Sequence, residues 1–231
     1  MYYGIDPTYI LVIIGFLICL LASAKMKSTF SKYSRVRNHS GMTGREAAER
    51  ILNQAGIYDV RVEHVPGDLT DHYDPRSKVL RLSDATYNSA SVAALGVAAH
   101  ECGHAIQHDT GYVPLQIRGA LVPVVNIGST IAWPLIIIGL FFSSRSSLLF
   151  LNLGILAFSL AVLFQIVTLP VEFNASNRAI HILGGSGMLY EDEVSATRKV
   201  LFAAALTYVA GALSSVLQLL RIVLLANNKR N

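Results

Sequence analysis

Four long stretches of this chain carry no charged residue: residues 9–24, 121–142, 148–169 and 200–217. Hydrocarbon offers no hydrogen-bond partner to a backbone, so an apolar run near the ~20 residues that span a bilayer core must satisfy itself as a helix. Each stretch is predicted to be a transmembrane helix, the first short and the last able to extend to Ala226. A cleaved secretory signal is the alternative for the first, because Ala22-Ser23-Ala24 resembles a small-residue cleavage site. No Lys or Arg precedes that run, however, and Lys25, Lys27, Lys32, Arg35 and Arg37 follow it. That order predicts a retained anchor with its N-terminus outside the cell.

If the four helices alternate, residues 25–118 carry 12 Lys and Arg, residues 171–199 carry three, and 15 of the 19 basic residues fall on one side. The positive-inside rule assigns that side to the cytoplasm of a multi-pass cell-membrane protein. This excess accounts for the net charge of +4 without nucleic acid, and no strip of basic and aromatic residues points to such a partner. The lipid bilayer is the partner that the composition does imply. Cys19 and Cys102 give no disulfide framework.

Between the first two apolar runs lies Val97-Ala-Ala-His100-Glu101-Cys-Gly-His104-Ala-Ile-Gln-His108. On a helix, residues four apart share a face about 6 Å apart along the axis, so His100 and His104 can reach one metal ion. Glu101 is rotated about 100° from His100, beside such an ion, where its carboxylate can take a proton from the water that the metal activates. Small residues at Ala94, Ala98, Ala99, Gly103 and Ala105 allow other elements to approach closely. Cys102 falls on the wrong face for a ligand and is expected to pack. His108 continues the stripe but suits the last turn of a helix better than a metal.

Elsewhere, residues 25–40 read as a polar, basic linker along the membrane surface. Thr43-Gly-Arg-Glu46 is a capping box ahead of an amphipathic helix closed by Gly56. Residues 60–65 and 78–82 alternate as short strands, residues 71–75 read as a polar loop, and Ser83-Asp84 offer an N-cap toward the motif helix. The strand at 78–82 could serve as a core strand or as an exposed edge accepting an extended peptide. Ser143 to Ser147 form the turn of a membrane hairpin, and residues 183–187 a glycine-rich loop.

A catalytic zinc site takes three protein ligands and an open position. The His-x-x-Gly-x-x-His extension would place Gly at 107 and His at 110, but Gln107 and Thr110 stand there. A glutamate from another helix is the remaining solution. Glu172 is the only acidic residue between Asp109 and Glu191, with Pro170 suited to a first turn and Ala175, Ser176 and Ala179 on its face. A solvated acid at the membrane boundary is the alternative.

Residues 97–108 and 169–180 together resemble membrane zinc metallopeptidases of the gluzincin group, related in motif to the HtpX and CAAX prenyl-endopeptidases. With Asp71-His-Tyr-Asp-Pro75 and Leu169-Pro-Val-Glu172-Phe-Asn-Ala-Ser-Asn-Arg178-Ala added, nearly the whole chain is similar to the YugP-type bacterial membrane zinc metallopeptidases. Ser176 stands where the wider class has Asp, which passes any outer carboxylate role to that hydroxyl, to Asn174 or Asn177, or elsewhere. The resemblance implies one zinc ion per chain on His100, His104 and Glu172, with Glu101 as general base. It leaves Arg178, His181 and Tyr73 as oxyanion candidates.

The expected fold is therefore membrane α-helical with four transmembrane helices and a small α+β, zincin-like catalytic domain. Its expected parts are an anchor (1–24), a cytoplasmic domain with the motif helix (25–116), a transmembrane hairpin (117–170), a third-ligand helix and loop (171–199) and a C-terminal membrane helix with its tail (200–231). The expected function is hydrolysis of peptide bonds in membrane or membrane-associated proteins. An inactive zinc-fold scaffold that binds membrane-protein clients is the alternative, and a transporter is disfavoured because only Gln165, Gln218 and Arg221 approach a mid-helix position.

Overall fold

The structure is a computed structural model that describes residues 6–142 and 146–230. In order it comprises α1 (Tyr9–Tyr33), α2 (Gly44–Gln54), β1 (Arg61–His64), β2 (His72–Asp74), β3 (Val79–Leu82), α3 (Val92–Asp109), α4 (Val113–Phe141), α5 (Ser147–Gly185) and α6 (Glu191–Arg230). Helices α1, α4, α5 and α6 are each long and apolar enough to cross a membrane. The expected fold class is the one observed: largely helical, with four candidate membrane spans and a small three-stranded sheet.

The chain divides into two compact units. The apolar one takes in the chain up to residue 22, residues 117–169 and the chain from residue 207. Its helices pack through small residues, as expected where burial of apolar surface gives no drive to associate. A Cβ on Gly139 would lie 2.6 Å from the Leu151 nitrogen, and one on Gly154 would lie 2.9 Å from the Ile136 nitrogen. Lys229 donates from Nζ to the carbonyls of Gly139, Leu140 and Phe142 at 2.7, 2.9 and 3.0 Å, covering the C-terminus of α4 with positive charge. Arg221 is held, its guanidinium carbon 4.1 Å from the Tyr9 ring centroid and Nη2 3.9 Å from Asp6. The Ser143 to Ser147 turn lies in part outside the described residues.

The second unit comprises residues 23–116 and 170–206. The capping box forms as expected: Thr43 accepts from the Glu46 backbone and Glu46 accepts from that of Thr43. The α2 residues Ala47, Ala48, Ile51 and Leu52 join Leu80, Leu82, Leu95, Ala98 and Ala99 in one core. In the sheet, β3 is central, parallel to β1 with Arg61 opposite Val79, and antiparallel to β2 with Tyr73 opposite Leu80.

Several expectations are corrected. Residues 25–33 continue α1 rather than forming a linker, because Met26, Phe30 and Tyr33 pack against Ala93 and Val200. Residues 72–74 form β2 rather than a polar loop; its pairing with β3 supplies an order that the polar composition conceals. The strand at 79–82 does not alternate and has no free edge, since it is paired on both sides and Val79, Leu80 and Leu82 are buried. The cap of α3 is Ser91, which accepts from the Ala94 backbone, while Ser83 bonds Asp71 through its N–H and hydroxyl. Pro170 lies inside α5 rather than in a first turn, and Gly184 and Gly185 end that helix rather than forming a loop.

Candidate metal centre

The site is built on α3, whose buried residues include the small Ala94, Gly96, Ala98, Ala99, Gly103 and Ala105. This lets two other helices approach. A Cβ on Gly96 would lie 2.8 Å from Thr197 Cγ2 of α6, and one on Gly103 would lie 2.7 Å from the Ala175 carbonyl oxygen of α5. Gly103 stands between the two motif histidines in height, so the approach it permits carries Glu172, one turn before Ala175, to their face.

His100 Nε2 lies 3.3 Å and His104 Nε2 3.5 Å from Glu172 Oε2. Side-chain exposures of 14%, 12% and 3% place all three groups out of bulk water, with access left on the histidine side. The two rings are 4.8 Å apart at their centroids and nearly perpendicular. One donor atom from each residue lies within 4.8 Å of the others, the only such group of three or more His, Cys, Asp or Glu residues found among the described residues. Two imidazole nitrogens and one carboxylate oxygen are a donor set suited to zinc.

The outer nitrogens of both rings are also engaged, as metal-ligating histidines require. Ser176 Oγ lies 3.1 Å from His100 Nδ1, and Gln107 Oε1 lies 3.0 Å from His104 Nδ1. Gln107 is fully buried and donates from Nε2 to the Val171 carbonyl at 2.8 Å and to Asn174 Oδ1 at 3.0 Å. Arg178 Nε donates to the same Asn174 oxygen at 2.8 Å. Burial opposes a charge on His104, but Glu172, Glu101 and Gln107 together favour one and raise its proton affinity in the metal-free chain. A cation that replaces the proton meets the same favourable surroundings.

The other singled-out residues are distributed as follows. Glu101 is 8% exposed, one position beyond His100 on the buried α3. The Tyr73 hydroxyl on β2 lies 2.9 Å from His108 Nδ1, and burial, with Asp59 and Asp74, pushes its pKa up to about 12. Tyr73 therefore keeps its proton at ordinary pH. Asn177 faces outward, and His181 borders a cleft with Ile51, Gln54 and Ala55, about 13 Å along the helix axis from Glu172. The Cys102 thiol is buried, with its pKa raised by burial, and donates weakly to the Ala48 carbonyl at 3.6 Å. Gln107 is the site residue that the sequence reading misses. Its signal is its place three residues after His104, on the same face of the helix.

Two histidines four residues apart on one helix and a glutamate from another form a group that could hold a metal ion, in a largely helical chain with four helices long and apolar enough to cross a membrane. The chain belongs to the family described as "Putative neutral zinc metallopeptidase", which matches residues 8–227. It is similar to "Putative membrane protease YugP" of Bacillus subtilis (strain 168), with 50% identity over 210 residues, covering 91% of this chain and 92% of that protein. No solved structure matches the chain. The expected resemblance to the YugP-type proteins thus holds along nearly the whole chain. Family membership implies zinc and a peptide substrate, and the four apolar helices imply lipid.

Proposed function

We propose that this chain is a zinc-dependent endopeptidase of the cell membrane, of the gluzincin type, acting on membrane or membrane-associated proteins. The observation that carries the reading is the convergence of His100 Nε2 and His104 Nε2 on Glu172 Oε2, with Glu101 next to His100 in the chain and buried. His100, His104 and Glu172 hold one zinc ion, with Ser176 and Gln107 orienting the two rings. Bound there, zinc would polarise the scissile carbonyl and increase the acidity of water. Glu101 accepts the proton of the attacking water and delivers it to the departing amine nitrogen, as a general base and then a general acid. Partial burial of the site strengthens both roles by lowering the local dielectric. The strand β2 is at an edge of the sheet, and its outer main-chain groups suit an extended peptide. Of the candidate oxyanion donors, Tyr73 is protonated and sits on that strand with its hydroxyl against His108, and Arg178 has its Nε committed to Asn174.

The test is zinc content and proteolysis of the detergent-purified full chain. The parent is expected to hold one zinc per chain and Glu172→Ala to lose it, with a fall in affinity exceeding the roughly 10- to 100-fold typical of losing an outer hydrogen-bond partner. Zinc retained in full by Glu172→Ala would require a different third ligand. Bound zinc without hydrolysis of any protein substrate would favour a scaffold that binds clients uncut.

The basic residues that follow the first apolar run support a cytoplasmic site, with the N-terminus outside. Cysteine labelling of intact cells checks this: a cysteine placed at Tyr58, which is highly exposed, should remain unlabelled by an impermeant reagent until the cells are opened. Labelling from outside would reverse the orientation.

A further inference from the structure

Each motif histidine has a different kind of outer partner. The Ser176 hydroxyl can donate or accept, so its 3.1 Å contact leaves the proton of His100 undetermined. At His104 the chain of contacts dictates the answer. Arg178 Nε can only donate, so the Asn174 atom 2.8 Å from it is the amide oxygen. The Gln107 atom facing both that oxygen and the Val171 carbonyl must therefore be its NH2 group. Gln107 then turns its oxygen to His104 Nδ1, at 3.0 Å, and an oxygen that can only accept requires a proton on Nδ1. A neutral His104 ring so held carries no proton on Nε2, the nitrogen that faces Glu172.

We propose that Gln107, oriented by Asn174 and Arg178, is the positioning residue of this site: it holds His104 as the Nδ1–H tautomer and so keeps the Nε2 lone pair directed at the metal position. The proposal rests on the zinc reading above. It gives a reason for a fully buried glutamine three residues after His104 on the same helix. It also shows how a neutral amide, rather than a carboxylate, can orient His104, with the direction of that amide set by Asn174 and Arg178 further out.

A structural alternative is that Gln107 only ties α3 to the Val171 carbonyl of α5. Two variants of the full chain in detergent separate the roles. Gln107→Leu removes both the acceptor and the tie, whereas Gln107→Glu keeps an oxygen toward Nδ1 and loses the amide donor. Chelator competition should show zinc binding weakened about 10- to 100-fold in Gln107→Leu and close to that of the parent in Gln107→Glu. Equal weakening in both, or parental affinity in Gln107→Leu while His104→Ala loses zinc, would overturn the proposal and leave the zinc reading intact. Zinc retained by His104→Ala would overturn the ligand assignment and the proposal together. A measurement needing no Gln107 variant is the 15N spectrum of the metal-free, histidine-labelled parent at alkaline pH, with His104 identified by its absence from His104→Ala. The Nδ1–H signature is expected, and the Nε2–H signature would overturn the assignment.

Discussion

Replacing Glu101 by Gln is expected to lower peptide hydrolysis by about 10²- to 10⁴-fold, the usual contribution of a positioned general base, while zinc content stays at one per chain. The amide is nearly isosteric, so packing of the buried α3 is preserved, but it cannot accept a proton from water at ordinary pH. Glu101 is one position from His100 and is not among the three residues whose donor atoms converge. Loss of activity and retention of metal should therefore separate cleanly. Zinc analysis and a protease assay on the same preparation check it, and a variant that kept activity would remove Glu101 from the mechanism.

The second large effect is expected at Gly103. Alanine favours a helix interior over glycine by about 0.5–1 kcal/mol, so a Gly→Ala change in open space should stabilise. At Gly103 the added carbon would meet the Ala175 oxygen at 2.7 Å, its Cα at 3.1 Å and its carbonyl carbon at 3.2 Å. These are backbone atoms of α5, which cannot swing aside as a side-chain tip can. Overpacking of this kind costs about 1–3 kcal/mol, which outweighs the propensity gain. Gly103→Ala is therefore expected to lower the unfolding temperature and, by displacing the segment that carries Glu172, to weaken zinc binding. Gly119 is also within a helix, but a Cβ there would have no neighbouring atom within 4 Å, so Gly119→Ala should leave both unchanged or raise stability slightly. Thermal unfolding with and without zinc checks the pair, and stabilisation by Gly103→Ala would mean that α3 and α5 do not approach as described.

Gly103 also shows where sequence reading reaches its limit. Its smallness marks α3 as a helix that others can approach, but nothing in the residue says that the approaching backbone is that of Ala175. Pro170 misleads for a related reason: a proline usually opens a helix, yet here α5 runs through it from Ser147 to Gly185. A helix of a membrane protein can tolerate that lost hydrogen bond when neighbouring groups compensate. The short strand β2 is hidden for the opposite reason, since its three residues, His72, Tyr73 and Asp74, have no strand signal of their own and are ordered by their partner β3.

By itself the sequence determined what depends on local chemistry and periodicity. Charge-free runs specified four membrane-length helices because hydrocarbon leaves a backbone no other solution. The four-residue spacing of His100 and His104 placed two ligands on one face because the helix repeats every 3.6 residues. Only the tertiary structure decided which residues meet across long separations in the chain. The approach of α5 to Gly103 brings Glu172 to the histidines, and the Val171 carbonyl and Asn174 turn Gln107 toward His104. Such contacts depend on how closely two helices pack and at what rotation, and neither is encoded in the periodicity of either helix alone.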